Sequence, residues 1–109
     1  LQVSFGSEEG DGHALLEIKI WPRNDYKDIQ AQIDSYRTSD TVAAISVMLG
    51  SRAVEGWKQD YERDCLAGLT FSKHPDPPDL VGYWSVETVD GAGIHHKTEH
   101  LLVHIPKRI

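Results

Sequence analysis

Glu17 and Lys19 stand two residues apart in an apolar run spanning 14–21, and Gln32 and Tyr36 stand four apart in the segment after it. Residues two apart on a strand share a face, and so do residues four apart on a helix. If the first pair lies on a strand and the second on a helix, a carboxylate, an ammonium, an amide and a phenol converge on one spot. A carboxylate and an ammonium on an interior strand are costly unless they are paired or used. A simple ion pair at a sheet edge would contribute about 0–1 kcal/mol. Gln32 and Tyr36, read alone, are a solvated helix side and a core tyrosine.

The surrounding pattern supplies both elements. Residues 1–5 alternate as a short strand, and 6–12, with three glycines and three acids, reads as a hairpin loop. The run 14–21 is apolar on both faces except at Glu17 and Lys19, which predicts an interior strand ended by Pro22. A helix over 26–37 follows, with Tyr26, Ile29, Ile33 and Tyr36 as its buried stripe. The β-branched run 41–49 reads as a central strand. Ser51 caps a second helix over 52–66, with Val54, Trp57, Tyr61 and Cys65 facing inward. A Pro-rich loop at 72–79, a strand at 80–89, a turn at 90–93 and a last strand at 94–105 complete the order β-β-α-β-α-β-β. A strand, a helix and a strand in succession imply a parallel crossover, hence an α/β fold with a mixed sheet.

At 109 residues, 39% hydrophobic and 26% charged, the chain has the composition of one ordinary globular domain. No apolar run approaches the roughly 20 residues that span a bilayer. Its single cysteine, Cys65, leaves no internal disulfide, and with no secretory signal the expectation is a reducing, cytoplasmic setting. A formal charge of −6 argues against a free-standing nucleic-acid binder, because that affinity rests on neutralising phosphates. The first residue, Leu1, falls inside a strand pattern, so the chain is expected to be a slice of a longer protein.

Glu17–Ile18–Lys19 on a strand after a hairpin, then Gln32-x-x-x-Tyr36 on the next helix and a buried strand behind it, resembles the PD-(D/E)XK nuclease superfamily. The Q-x-x-x-Y element is similar to that of its RecB-like branch. The resemblance covers residues 1–49 and implies a restriction-endonuclease-like α/β/α sandwich from which an upstream helix and strand are missing. It implies that Glu17 and the Ile18 carbonyl ligate Mg²⁺ or Mn²⁺, which prefer oxygen donors. Lys19 would orient the attacking water or stabilise charge on the transition state. Gln32 and Tyr36 would position the lysine, the metal shell or the nucleic-acid backbone. The implied activity is metal-dependent hydrolysis of DNA phosphodiesters in restriction, antiviral defence, recombination or repair. Another domain or subunit would help grip the DNA, and self-association is open.

The resemblance departs at one point. The family places an Asp opposite the glutamate on the preceding strand, and none of residues 1–5 is acidic. Asp11 lies about 20 Å of extended chain from Glu17 at roughly 3.3 Å per residue, and Glu8 and Glu9 are little better. Either the Asp precedes Leu1 or the domain is a degenerate nuclease fold that binds a partner or assembles a complex. A third reading is an unrelated α/β ligand-binding domain. His95, His96, His100 and His104 crowd one strand, where positions four apart lie about 13 Å from each other, so surface imidazoles or phosphate contacts are expected rather than a metal site. Arg23, Lys27, Arg37 and Arg52 are candidate phosphate contacts at the rim, while Lys107 and Arg108 read equally as ordinary exposed charge. Trp57, Trp84 and Cys65 read as core.

Overall fold

The structure, a computed structural model, describes residues 2–7, 10–22, 26–51 and 55–106, with side chains described from residue 12 onward. The elements are β1 (Gln2–Ser7), β2 (Gly10–Ile20), a 3-10 turn (Tyr26–Asp28) running into α1 (Ile29–Tyr36), β3 (Thr41–Gly50), α2 (Trp57–Cys65), β4 (Thr70–Lys73), β5 (Gly82–Val89) and β6 (His95–His104). The strands form one mixed sheet in the order β1-β2-β3-β6-β5-β4. β2, β3 and β6 run parallel, and the β1–β2, β5–β6 and β4–β5 pairs are antiparallel. The expected crossover from β2 through α1 to β3 is present, and β3 is a central strand with parallel neighbours on both sides.

Three boundaries differ from the sequence pattern for physical reasons. The first hairpin is tighter than expected, because its ladder continues to Ser7 opposite Gly10. The second helix starts at Trp57 rather than 52, since Gly56 has φ +77°, a left-handed conformation that an α-helix cannot continue through. Residues 52–54, including the expected stripe residue Val54, lie outside the described residues. A short strand, β4, takes in the first two residues of the expected Pro-rich loop, adding one strand to the expected order. Its four residues are all exposed, so no hydrophobic alternation marked it.

Both helices pack on the same face of the sheet. Leu15 of β2 lies beside Ala44 of β3, and Met48 beside Leu102 of β6; all four are buried in the core with Ile29 and Ile33 of α1 and Trp57, Tyr61 and Cys65 of α2. Trp21 bridges the helices, with ring centroids 4.5 Å from Tyr26, 6.0 Å from Trp57 and 6.5 Å from Tyr61. Trp84 of β5 stacks on Tyr61 at 4.9 Å. Trp57 and Trp84 are core residues, as expected, and so is Cys65, whose thiol burial pushes up to about 12. The opposite sheet face carries Leu16, Ile18, Ile20, Ile45, Val47, Leu49, Leu101 and Val103, with Ile18 and Ile20 about half exposed. Among the described residues no helix lies over it.

Gly50 closes β3 directly under the Trp57 ring. A Cβ built there would meet two ring carbons of Trp57 at 2.5 Å, inside any real contact distance. Trp57 is fully buried and has no room to retreat. Gly50→Ala is expected to lower stability by about 1–3 kcal/mol, the usual range for overpacking, in urea unfolding monitored by tryptophan fluorescence.

Candidate functional site

Glu17 and Lys19 occupy the helix-facing side of β2, between Leu15 and Trp21. Their side chains are 19% and 15% exposed, and Lys19 Nζ lies 4.0 Å from Glu17 Oε1. That distance makes them electrostatic neighbours but exceeds hydrogen-bond length, so the two do not saturate each other. The ladder sets Glu17 beside Ser46 and Lys19 beside Met48. Ile18 points to the other face, about half exposed. The β1–β2 register begins with Gln2 opposite Leu15, so no described residue of β1 faces Glu17. Asp11 is paired with Gly6, far down the hairpin, and Glu8 and Glu9 lie outside the described residues.

The helix turns Ile29 and Ile33 of its expected stripe into the core, but not Tyr36. Tyr36, predicted to complete the buried stripe of α1, is 56% exposed, and Gln32 is half-buried. The amide driven into the sheet is Gln30, 4% exposed, so the buried stripe is Ile29, Gln30 and Ile33. Gln32 and Tyr36 ride the flank of α1 turned away from β6. The four predicted groups are thus two neighbours on β2 and two on the outer flank of the next helix.

A buried polar chain lies beside the Glu17–Lys19 pair, and sequence pattern did not single it out. Ser46 Oγ is 3.5 Å from Tyr61 Oη, Tyr61 Oη is 2.7 Å from His100 Nδ1, and His100 Nε2 is 2.6 Å from Gln30 Oε1. Gln30 Nε2 donates to Asp34 Oδ1 and to Thr98 Oγ1, each at 3.0 Å. The proton positions follow from the far end. A carboxylate only accepts, so the Gln30 amide NH₂ faces Asp34 and its oxygen faces His100. His100 therefore donates from Nε2 and accepts at Nδ1, and the Tyr61 hydroxyl donates to it. Burial pushes the Tyr61 phenol well above its ordinary range and lowers His100 to about 4, so both are neutral in the folded protein.

His100 is therefore a core residue and not the surface imidazole expected from its neighbours. The four histidines differ in environment: His100 is fully buried, His95 and His104 are exposed, and His96 Nε2 meets Asp90 Oδ2 at 2.8 Å. Arg37, expected at a phosphate-binding rim, has a side chain only 9% exposed and is engaged with Asp34 Oδ1 at 3.2 Å and with Thr98 Oγ1. Lys27 is exposed beside the Tyr26 ring, and Arg23, Arg52, Lys107 and Arg108 lie outside the described residues.

Among the described residues no group of three His, Cys, Asp or Glu side chains could hold a metal ion. Glu17 and the Ile18 carbonyl are hard oxygen donors. They fit a cation only in the manner of Mg²⁺, held through one or two carboxylates and completed by substrate phosphate and water, not as an all-protein cage. Comparisons of the chain with family models, curated proteins and solved structures return no match. No helix of the described residues is long and apolar enough to cross a membrane.

The neutral His100 makes stability depend on pH. Unfolded, the imidazole takes its proton near pH 6.5; folded, burial holds protonation off to about pH 4. Its contribution is full above 6.5, falls as pH drops toward 4, and changes no further below that. The gap corresponds to about 3 kcal/mol. Chemical unfolding across pH 7 to 4 should register this loss, and His100→Gln, which cannot titrate, should flatten that part of the profile.

Proposed function

We propose that this chain is a nuclease-type domain that hydrolyses DNA phosphodiesters, with Glu17 and Lys19 at its chemical centre. The observation that carries the reading is the carboxylate and ammonium held 4.0 Å apart on an inner strand, where β2 leads through α1 into the parallel β3. Both side chains are largely withdrawn from water, at 19% and 15% exposed, and holding charge there carries a desolvation cost. In this reading the fold is the nuclease-type α/β/α sandwich, and its second helix layer would cover the open face of the sheet.

Glu17 and the Ile18 carbonyl would hold Mg²⁺ or Mn²⁺ together with substrate phosphate. When bound, the ion would polarise the scissile phosphate and lower the pKa of the attacking water. Lys19, anchored on the same strand face, would offset charge developing on the phosphate oxygens. The Leu15 and Trp21 side chains flanking the pair would limit water around it and strengthen that attraction. Gln32 and the exposed Tyr36 would contact the nucleic-acid backbone from the outer flank of α1. The net charge of −6 makes a separate DNA-gripping domain or subunit part of this reading, in a cytoplasmic setting.

A second reading, a nuclease-fold domain that assembles rather than cuts, is favoured by the open apolar sheet face. Charge inserted there tests it: Ile18→Lys is expected to leave folding intact, since Ile18 is half exposed, and to abolish any dimer in light scattering.

For the nuclease reading, the protein with Mg²⁺ should nick or linearise plasmid DNA, and EDTA should stop it. Lys19→Ala should lower the rate by about 10²-fold or more, as removal of one charge-stabilising donor does, with the circular dichroism spectrum unchanged. Equal cutting by wild type and Lys19→Ala would overturn the assignment.

A further inference from the structure

The face of the sheet that the helices leave open is not uniformly apolar. Over β4, β5 and the start of β6 it becomes polar and encloses a hollow of about 220 Å³ lined by residues that include Thr70, Ser72, His74, Ser85, Glu87 and Lys97. The ladders explain the gathering. Ser72 pairs with Ser85 and Ser85 with Glu99, while Thr70 pairs with Glu87 and Glu87 with Lys97. Trp84 and Val86 point into the core, so Ser85 and Glu87 point to the opposite face.

Three groups at this hollow, Ser85, His74 and Glu99, are held by hydrogen bonds. Ser85 is buried although no helix of the described residues lies over it, and its hydroxyl donates to Glu99 Oε2 at 2.7 Å. A serine has one proton, so the 2.6 Å contact between Ser85 Oγ and His74 Nε2 is donated by the imidazole. In the neutral ring Nε2 is then the donor and Nδ1 the acceptor. The ring lies against Tyr83 with centroids 4.3 Å apart, and the His74 backbone N–H donates to the Tyr83 carbonyl at 2.9 Å. Burial would raise the Glu99 carboxyl, but hydrogen bonds from Ser85, Tyr83 and Lys97 more than offset it and hold it below its ordinary range. Lys97 Nζ lies 3.4 Å from Glu99 and is committed there.

What remains for a ligand is a set of acceptors: the His74 Nδ1 lone pair, the Glu87 carboxylate and the Ser72 and Thr70 hydroxyl oxygens. Two carboxylates, Glu87 and Glu99, stand against one ammonium, Lys97, so the local charge is negative. The volume is below the roughly 300 Å³ at which drug-sized pockets begin, and suits a group the size of a side-chain head. We propose that this hollow is a receptor for one guanidinium or alkylammonium head. The head would donate to His74 Nδ1 and the Ser72 hydroxyl while its charge meets Glu87. The site lies on the opposite sheet face from Glu17 and Lys19 and does not depend on their role. The same chemistry is presented by a free small amine and by an Arg or Lys side chain of a polypeptide.

The test is a titration of the ¹⁵N-labelled protein with agmatine, with its uncharged analogue butylurea, and with a capped Gly-Arg-Gly peptide. Agmatine is expected to shift the amide signals of Ser72, His74, Ser85 and Glu87 saturably, with Kd on the order of 1 mM. Glu87→Gln, at an exposed position, should weaken it about three- to fivefold, while Glu55→Gln, a distant exposed charge, should leave it unchanged. Peptide affinity about tenfold above agmatine assigns the site to a polypeptide side chain, and equal or lower affinity assigns it to a free amine. Saturable binding of butylurea as tight as agmatine, no saturable shift at these amides, or Glu87→Gln binding as well as wild type would each overturn the proposal.

Discussion

The hydrogen-bond chain through His100 is the constraint on which the helix layer depends. It joins α2 through Tyr61, α1 through Gln30, β3 through Ser46 and β6 through His100 and Thr98, all beneath the helices. Apolar packing alone is tolerant of small slides, because contact area changes little with a shift of an ångström. Hydrogen bonds of 2.6–3.0 Å are not. A neutral imidazole with one donor and one acceptor admits one arrangement of its two partners, so both helices are held in a definite register on the sheet. Leaving one member unpaired in the core would cost roughly 1–3 kcal/mol.

The same chain bears on the chemistry of the next strand. Ser46 lies at one end of it and beside Glu17 in the β2–β3 ladder. The polar chain thus reaches the residue beside Glu17, through a 3.5 Å contact between Ser46 and Tyr61, while Met48 beside Lys19 is held by packing alone. A pair that must present its charges in fixed positions has a polar support on one side and an apolar wall on the other.

Much of the fold was legible in the sequence because its signals were periodic. The β-branched run of β3, the stripe of Trp57, Tyr61 and Cys65, and the turn at Asp90, whose carboxylate accepts from the Ala92 and Ile94 backbone N–H groups, all behave as their patterns require. The candidate site was half legible. Glu17 and Lys19 meet because strand parity is unambiguous. On α1 the spacing places Ile29 and Ile33 in the core, as found, but two positions run against their polarity: Tyr36 is apolar enough to suggest core and is exposed, and Gln30 is polar enough to suggest solvent and is buried. Tertiary pairing reversed both, since the Gln30 amide finds His100, Thr98 and Asp34 from sequence distances of 70, 68 and 4 residues. No local window contains the His100 and Thr98 partners. His100 was hidden for the same reason, among neighbours of its own type that do face outward.

The strand order has a consequence for how the chain reaches this state. β3 needs β6 as its second neighbour, yet Ile45 and its partner Glu99 are separated by α2, β4 and β5. During synthesis β3 can pair with β2 as soon as α1 has crossed over. Its other edge stays bare until β6 leaves the ribosome. Such late, long-range parallel pairing is intrinsically slow, and it leaves a β-branched central strand unprotected in the meantime. The fold thus makes β6 the step that commits this sheet, and a nascent chain stalled short of it would carry an open central edge prone to pairing with other chains.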